Sequence, residues 1–249
     1  LPIPADTSGH ERIKSANADQ PESTEKLGNQ MDYGRTLPKA MNQYPKDSLG
    51  RGRLQYRVGQ LDPAITTLRA FLANNPDSGE ARHLIGAALL EKGQPNEALE
   101  DLQKAVSAKN PHAPAHYLIA LVRLAQGSKP AALESLFKLL DQQPNHWEGR
   151  LLQTWLLAQD PKAAPQALKN ALALERQDPA DPRALAVLKE AATKASDKTR
   201  AEAAQAALDA LKKEPGAAAR LLEFEASTRG VLVHPARLQS FSSKPAPKK

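Results

Sequence analysis

The sequence predicts an all-α, right-handed solenoid of about five antiparallel helix pairs, closed by a C-terminal capping helix. Two observations carry this reading. Between residues 45 and 146, three blocks of 34 residues follow one another without an insertion. Gly59, Gly93 and Gly127 stand 34 apart, as do Ala64, Ala98 and Ala132, and Leu68, Leu102 and Leu136. Self-similarity at this period marks stacked helical repeats. The second observation is compositional. Aromatic residues make up only 4% of the 249-residue chain, while alanine and leucine are abundant. That suits thin helical layers, each buried on its neighbour, better than one large core or a β-sandwich.

Each landmark in the middle block has a physical reason. Ile85, Gly86 and Leu89 share one face of a first helix. Ala98, Leu102 and Ala105 share one face of a second, at the spacing of a buried stripe. Gly86 and Ala98 are small where two helices cross. Gly93 falls at the turn between them, where positive φ is commonly needed. Pro111 ends the second helix. Asp77 and Glu80 have capping-box spacing and are expected to start the first.

These columns resemble the tetratricopeptide repeat. The family's landmarks fall on Arg82, Ile85, Gly86, Leu89, Ala98, Leu102 and Pro111 in the middle block. In the next block they fall on His116, Ile119, Ala120, Arg123, Ala132, Leu136 and Pro144, and the first block retains Gly52, Ala64, Leu68 and Pro76. The family's first aromatic is replaced by Ser48, Arg82 and His116, and its tyrosine by Gln55, Leu89 and Arg123. The resemblance covers residues 45–146 strongly and fades towards residue 215.

Residues 1–44 read as a flexible leader poor in large apolar side chains, with a short helix near 37–43. Residues 147–228 read as degenerate helical repeats and the capping helix. Trp147–Gln159 pairs with Gln166–Gln177, and Arg183–Lys194 with Lys198–Lys213. The Asp178–Pro182 break places Asp181 as an N-cap and Pro182 at the first helical position. Gly216–Thr228 is expected to cover the array's end with Leu221, Leu222 and Phe224, and residues 229–249 read as an irregular tail.

The chemistry excluded is as informative. With no cysteine, disulfides and thiolate metal sites are ruled out. No stretch approaches the roughly 18 apolar residues of a membrane helix. Gly-rich phosphate loops, nucleophile elbows and zinc-helix motifs are absent from the sequence. Gly50-Arg51-Gly52-Arg53 is the nearest approach to a nucleic-acid motif, but it lacks interleaved aromatics, and Gly52 already serves the repeat. The net charge of +6 fits ordinary solubility charge. His112 and His116 are four apart, yet His112 lies in an inter-repeat loop, so no metal site and no cofactor are expected.

The resemblance implies a concave surface lined by first helices. On its repeat positions, the partner-binding groove falls on Arg53, Tyr56, Arg57, His83, Tyr117, Leu121 and Trp155. Scarce aromatics thus gather on one side, beside arginine, as binding anchors do. A chaperone-type carboxylate clamp is not expected, because the matching positions are Leu49, Arg53, Leu84, Pro114 and Leu118.

The expected activity is non-catalytic binding of a protein or peptide segment with apolar and acidic groups. The alanine-, glutamine- and leucine-rich style, the lack of cysteine and the opening on Leu1 point to an assembly or adaptor component of a bacterial cell envelope, in the periplasm. Secretion, pilus, cytochrome or polysaccharide machinery would suit it. The alternative is a regulatory or docking part of a larger enzyme, in the cytoplasm.

Overall fold

The computed structural model describes residues 41–211, 213–214 and 216–233. The leader expected before residue 41, and the tail beyond residue 233, lie outside the described residues. Of the short helix expected near 37–43, Met41 and Asn42 are described and are helical.

Eleven further helices form five antiparallel hairpins and a closing helix, and the described residues contain no β-strand. The hairpins are α1 (Leu49–Arg57) with α2 (Leu61–Asn74), and α3 (Gly79–Glu91) with α4 (Pro95–Ser107). Then come α5 (Ala115–Ala125) with α6 (Lys129–Gln142), α7 (Trp147–Ala158) with α8 (Ala164–Gln177), and α9 (Pro182–Lys194) with α10 (Lys198–Leu211). The closing helix, α11, is Ala217–Thr228. No helix among the described residues is long and apolar enough to cross a membrane.

The first two hairpins are tight because a glycine faces a leucine. A Cβ added to Gly86 would stand 2.5 Å from Leu102 Cγ, and one added to Gly52 would stand 2.5 Å from Leu68. Ala64, Ala98 and Ala132 are fully buried beside Leu68, Leu102 and Leu136. The turn glycines behave as the spacing predicts: Gly59, Gly93 and Gly127 have φ of +79°, +77° and +76°.

Successive hairpins are joined by more than apolar contact. The Gly79 amide donates to the Asn110 carbonyl at 3.1 Å, and the His112 amide donates to the Ala105 carbonyl at 3.0 Å. Asp181 is 1% exposed and caps α9 by accepting from the Arg183 amide at 2.8 Å. It also accepts from Trp147 Nε1 at 2.9 Å, which ties α7 to α9.

One cap differs from expectation. Ser78, not Asp77, is the N-cap of α3, and its hydroxyl accepts from the Ala81 amide at 3.3 Å. Glu80 therefore does not close a capping box with Asp77, and its carboxylate reaches across to α1.

The helix crossing sets a testable limit. Ala98→Phe should overpack α3 against α4 and cost about 1–3 kcal/mol in chemical denaturation. Phe137→Ser, at a side chain 55% exposed, should stay within about 0.5 kcal/mol of the parent. Equal melting of all three proteins would contradict this packing.

Candidate functional site

The first helices of the hairpins share one face. α3 packs against both α1 and α5, and α7 packs against α9. α11 lies on the same side, against α9, α7 and α5. The face is thus divided. Its N-terminal part, over α1 and α3, carries polar side chains, and its C-terminal part lies under α11.

In the N-terminal part, every polar group that the sequence singles out except Arg57 has a neighbour from another element. Arg53 donates to Glu80 from Nη2 at 2.5 Å and from Nε at 3.0 Å, so its charge is already met within the chain. Both side chains remain about a third exposed. The Tyr56 hydroxyl donates to Glu91 at 2.6 Å, and burial together with that carboxylate pushes the phenol far above its ordinary range. Arg57 is exposed.

His83 packs on His112, with ring centroids 4.6 Å apart. Its Nδ1 is buried without a partner. Burial, with smaller contributions from His112 and His146, lowers the His83 imidazole to about 3. One repeat later, Tyr117 packs on His146 at 5.6 Å, so the ring pair recurs with the repeat. His146 Nδ1 accepts from the Gly149 amide at 3.1 Å as the N-cap of α7, a role that only a neutral imidazole fills.

Tyr117, Leu121 and Trp155 belong to the covered part. The Tyr117 hydroxyl donates to Ser227 Oγ of α11 at 3.2 Å, and burial pushes the phenol up to about 12. Leu121 is fully buried, so it has no surface for a further partner while α11 is in place. Trp155 is partly buried and packs against both apolar clusters, the second of which contains Phe224 of α11. The sequence-derived set is therefore split, with Arg53, Tyr56, Arg57 and His83 on one side and Tyr117, Leu121 and Trp155 on the other.

Sequence reasoning reads Asp181 as an N-cap but misses the side chains gathered on it. Burial alone would raise the Asp181 carboxyl, but hydrogen bonds from Arg183 and Trp147 outweigh it and hold it below the usual range. Arg183 reaches Asp181 at 2.7 Å and Glu148 at 3.5 Å. Glu223 of α11 sits within its field, and burial raises that carboxyl despite the nearby guanidinium. Gly230, just after α11, was also missed. Among the described residues, no group of three His, Asp or Glu side chains stands close enough to hold a metal ion.

Family comparisons agree with this geometry. Two tetratricopeptide repeat families match, one over residues 49–114 and one over residues 89–156. Residues 49–156 are tetratricopeptide repeats. The solved structures that resemble the chain have the same architecture. YrrB, described as a TPR protein with an unusual peptide-binding site, has a TM-score of 0.56 at 18% identity, covering 72% of this chain and 94% of its own. Pseudomonas aeruginosa pilF gives 0.58 at 14% identity, covering 85% and 96%. MamA gives 0.55 at 18% identity, covering 73% and 94%. No curated protein matches the sequence.

The histidines make acid sensitivity a prediction. His83, His112, His116 and His146 are all held below the ordinary imidazole value, chiefly by burial. Below about pH 6.5 the unfolded chain takes up protons that the native rings refuse, so stability is lost as pH falls. Each such ring can contribute up to about 1.4 kcal/mol per pH unit. For His83 the loss runs from about pH 6.5 towards 3. His83→Leu should flatten the decline between pH 6.5 and 5 measured by urea unfolding. An unchanged slope would place the acid sensitivity elsewhere.

Proposed function

We propose that this chain is a non-catalytic scaffold that holds a segment of a partner protein along the concave face formed by α1, α3, α5 and α7. The observation that carries the reading is the position of α11. A helical segment already lies across the first helices, which supports this face as one that accepts a segment of chain. The tetratricopeptide repeats support a protein-binding role, since proteins of this fold are generally non-catalytic scaffolds.

The part left open is the N-terminal one. Arg57 is its exposed cation, flanked by Tyr56 and the Arg53–Glu80 pair. A partner segment with an acidic group fits there, drawn in by charge. The sequence places such an acidic group near both Arg53 and Arg57; with Arg53 engaged by Glu80, we assign it to Arg57.

The setting we propose is the bacterial cell envelope, on the periplasmic side, with the chain acting as an assembly or adaptor component. The support is the alanine- and leucine-rich composition and the absence of cysteine.

Immobilised protein should retain a partner from a bacterial periplasmic extract, and Arg57→Glu should slow association while leaving helicity unchanged. Raised salt should mimic that substitution, because exposed charges act through steering. Retention that ignores both Arg57 and salt would contradict the proposed site. Fractionation of cells carrying the full gene should place the protein in the periplasm, and purely cytoplasmic recovery would contradict the setting.

A further inference from the structure

The groove at the end of the array, between α9 and α10, is open. Thr193, Ala201, Gln205 and Ala206 line it. This is where the first helix of a further repeat would stack, and where a helix serving only as an end cap would lie. α11 does not take that place. After Gly216, which turns the chain at φ +81°, it crosses the first helices of three hairpins instead.

Its attachment is selective. Phe224, Ala226 and Ser227 are 8%, 5% and 5% exposed, whereas Leu222 on the other side is 49% exposed. The Tyr117–Ser227 hydrogen bond and the Glu223–Arg183 electrostatic contact are its polar links to α5 and α9. Beyond it, Gly230 at φ +76° lies directly on the backbone of α5. A Cβ there would stand 2.3 Å from the Ala125 nitrogen and 2.4 Å from the Leu121 oxygen, so only glycine fits. Leu232 then packs on the apolar cluster of the first hairpins.

We infer that α11 with Arg229–Leu232 is a displaceable occupant of the groove over α5, α7 and α9, and that this groove binds a partner helix presenting the same face. That face is an acidic residue and an aromatic in succession, two small residues within the next turn, and a glycine after the helix, as in Glu223, Phe224, Ala226, Ser227 and Gly230. The inference rests on the reading of the concave face as a binding surface, and it adds the class of ligand and the competition from within the chain. A tethered occupant acts at an effective concentration in the millimolar range for short linkers, so a free ligand binds well only when the tethered one is weakened.

The test uses a fluorescent peptide of residues 217–233 and the full-length chain, with binding read by anisotropy. Gly230→Ala in the chain should weaken the internal contact without altering α5, α7 or α9. It should raise peptide affinity about tenfold or more over the parent, because the tethered competitor then occupies the groove less of the time. Phe224→Ala in the chain should act likewise, while the same change in the peptide should abolish binding. A Gly230→Ala chain with parental helicity that fails to bind the peptide would overturn the inference.

Hydrogen exchange on the unaltered chain provides a second readout that needs no variant. Amides of α11 should exchange before those of α5 and α7, and simultaneous exchange would overturn the inference as well. Failure of either test leaves salt-sensitive, Arg57-dependent partner capture unaffected, so the two readings fail separately.

Discussion

The close crossing of two helices over a residue with little or no side chain is the contact on which the rest depends. Gly52 against Leu68 and Gly86 against Leu102 bring the two helices of a hairpin together, and Ala64 and Ala98 are fully buried beside those leucines. Once a hairpin is that thin, its apolar face can be covered only by the next hairpin. The array follows, with first helices side by side and second helices behind them. Leucine supplies most of the large, fully buried side chains, among them Leu68, Leu102, Leu136, Leu139 and Leu151. Few aromatics are therefore needed for the core, and Tyr56, Tyr117 and Trp147 each bond a polar partner.

The same arrangement creates the concave face and then divides it. Over α1 and α3 the polar groups bind one another across repeats, leaving Arg57 exposed. Over α5, α7 and α9 the chain covers the face with its own closing helix. Glu223 shows what that covering involves. Its carboxyl is partly buried beside Arg183 and Asp181, and burial raises its proton affinity. A helix optimised only for permanent attachment would gain from an apolar side chain there.

Most of the fold could be read from the sequence because it rests on local, periodic constraints. The 34-residue spacing of Gly59, Gly93 and Gly127 gives the turns, and the buried stripes give the helix faces. The Asp181–Pro182 start of α9 could be read because an N-cap acts within one turn. What escaped were contacts outside the period. Arg53 meets Glu80 at a separation of 27, Tyr56 meets Glu91 at 35, and Tyr117 meets Ser227 at 110. Side-chain spacing within one helix carries no trace of these. The course of α11 escaped for a related reason: its composition says that one face is buried, but not against which helices. The Ser78 cap was missed because Asp77 and Ser78 are both good caps. Which one is used depends on the Gly79 amide bonding Asn110 of the next loop.

The central claim is that the concave face carries the chain's own helix on one half. The lack of cysteine allows paired spin labels to be placed without background, at Glu225 on α11 and Gln126 at the end of α5, both exposed. Pulsed dipolar spectroscopy should give one narrow population at short distance in the isolated protein. With excess peptide of residues 217–233 added to the Gly230→Ala chain carrying the same labels, a second, longer and broader population should grow as the internal helix is displaced. A broad, long distribution in the isolated protein would contradict the placement of α11, and a narrow one that saturating peptide leaves unchanged in the Gly230→Ala chain would contradict its displacement.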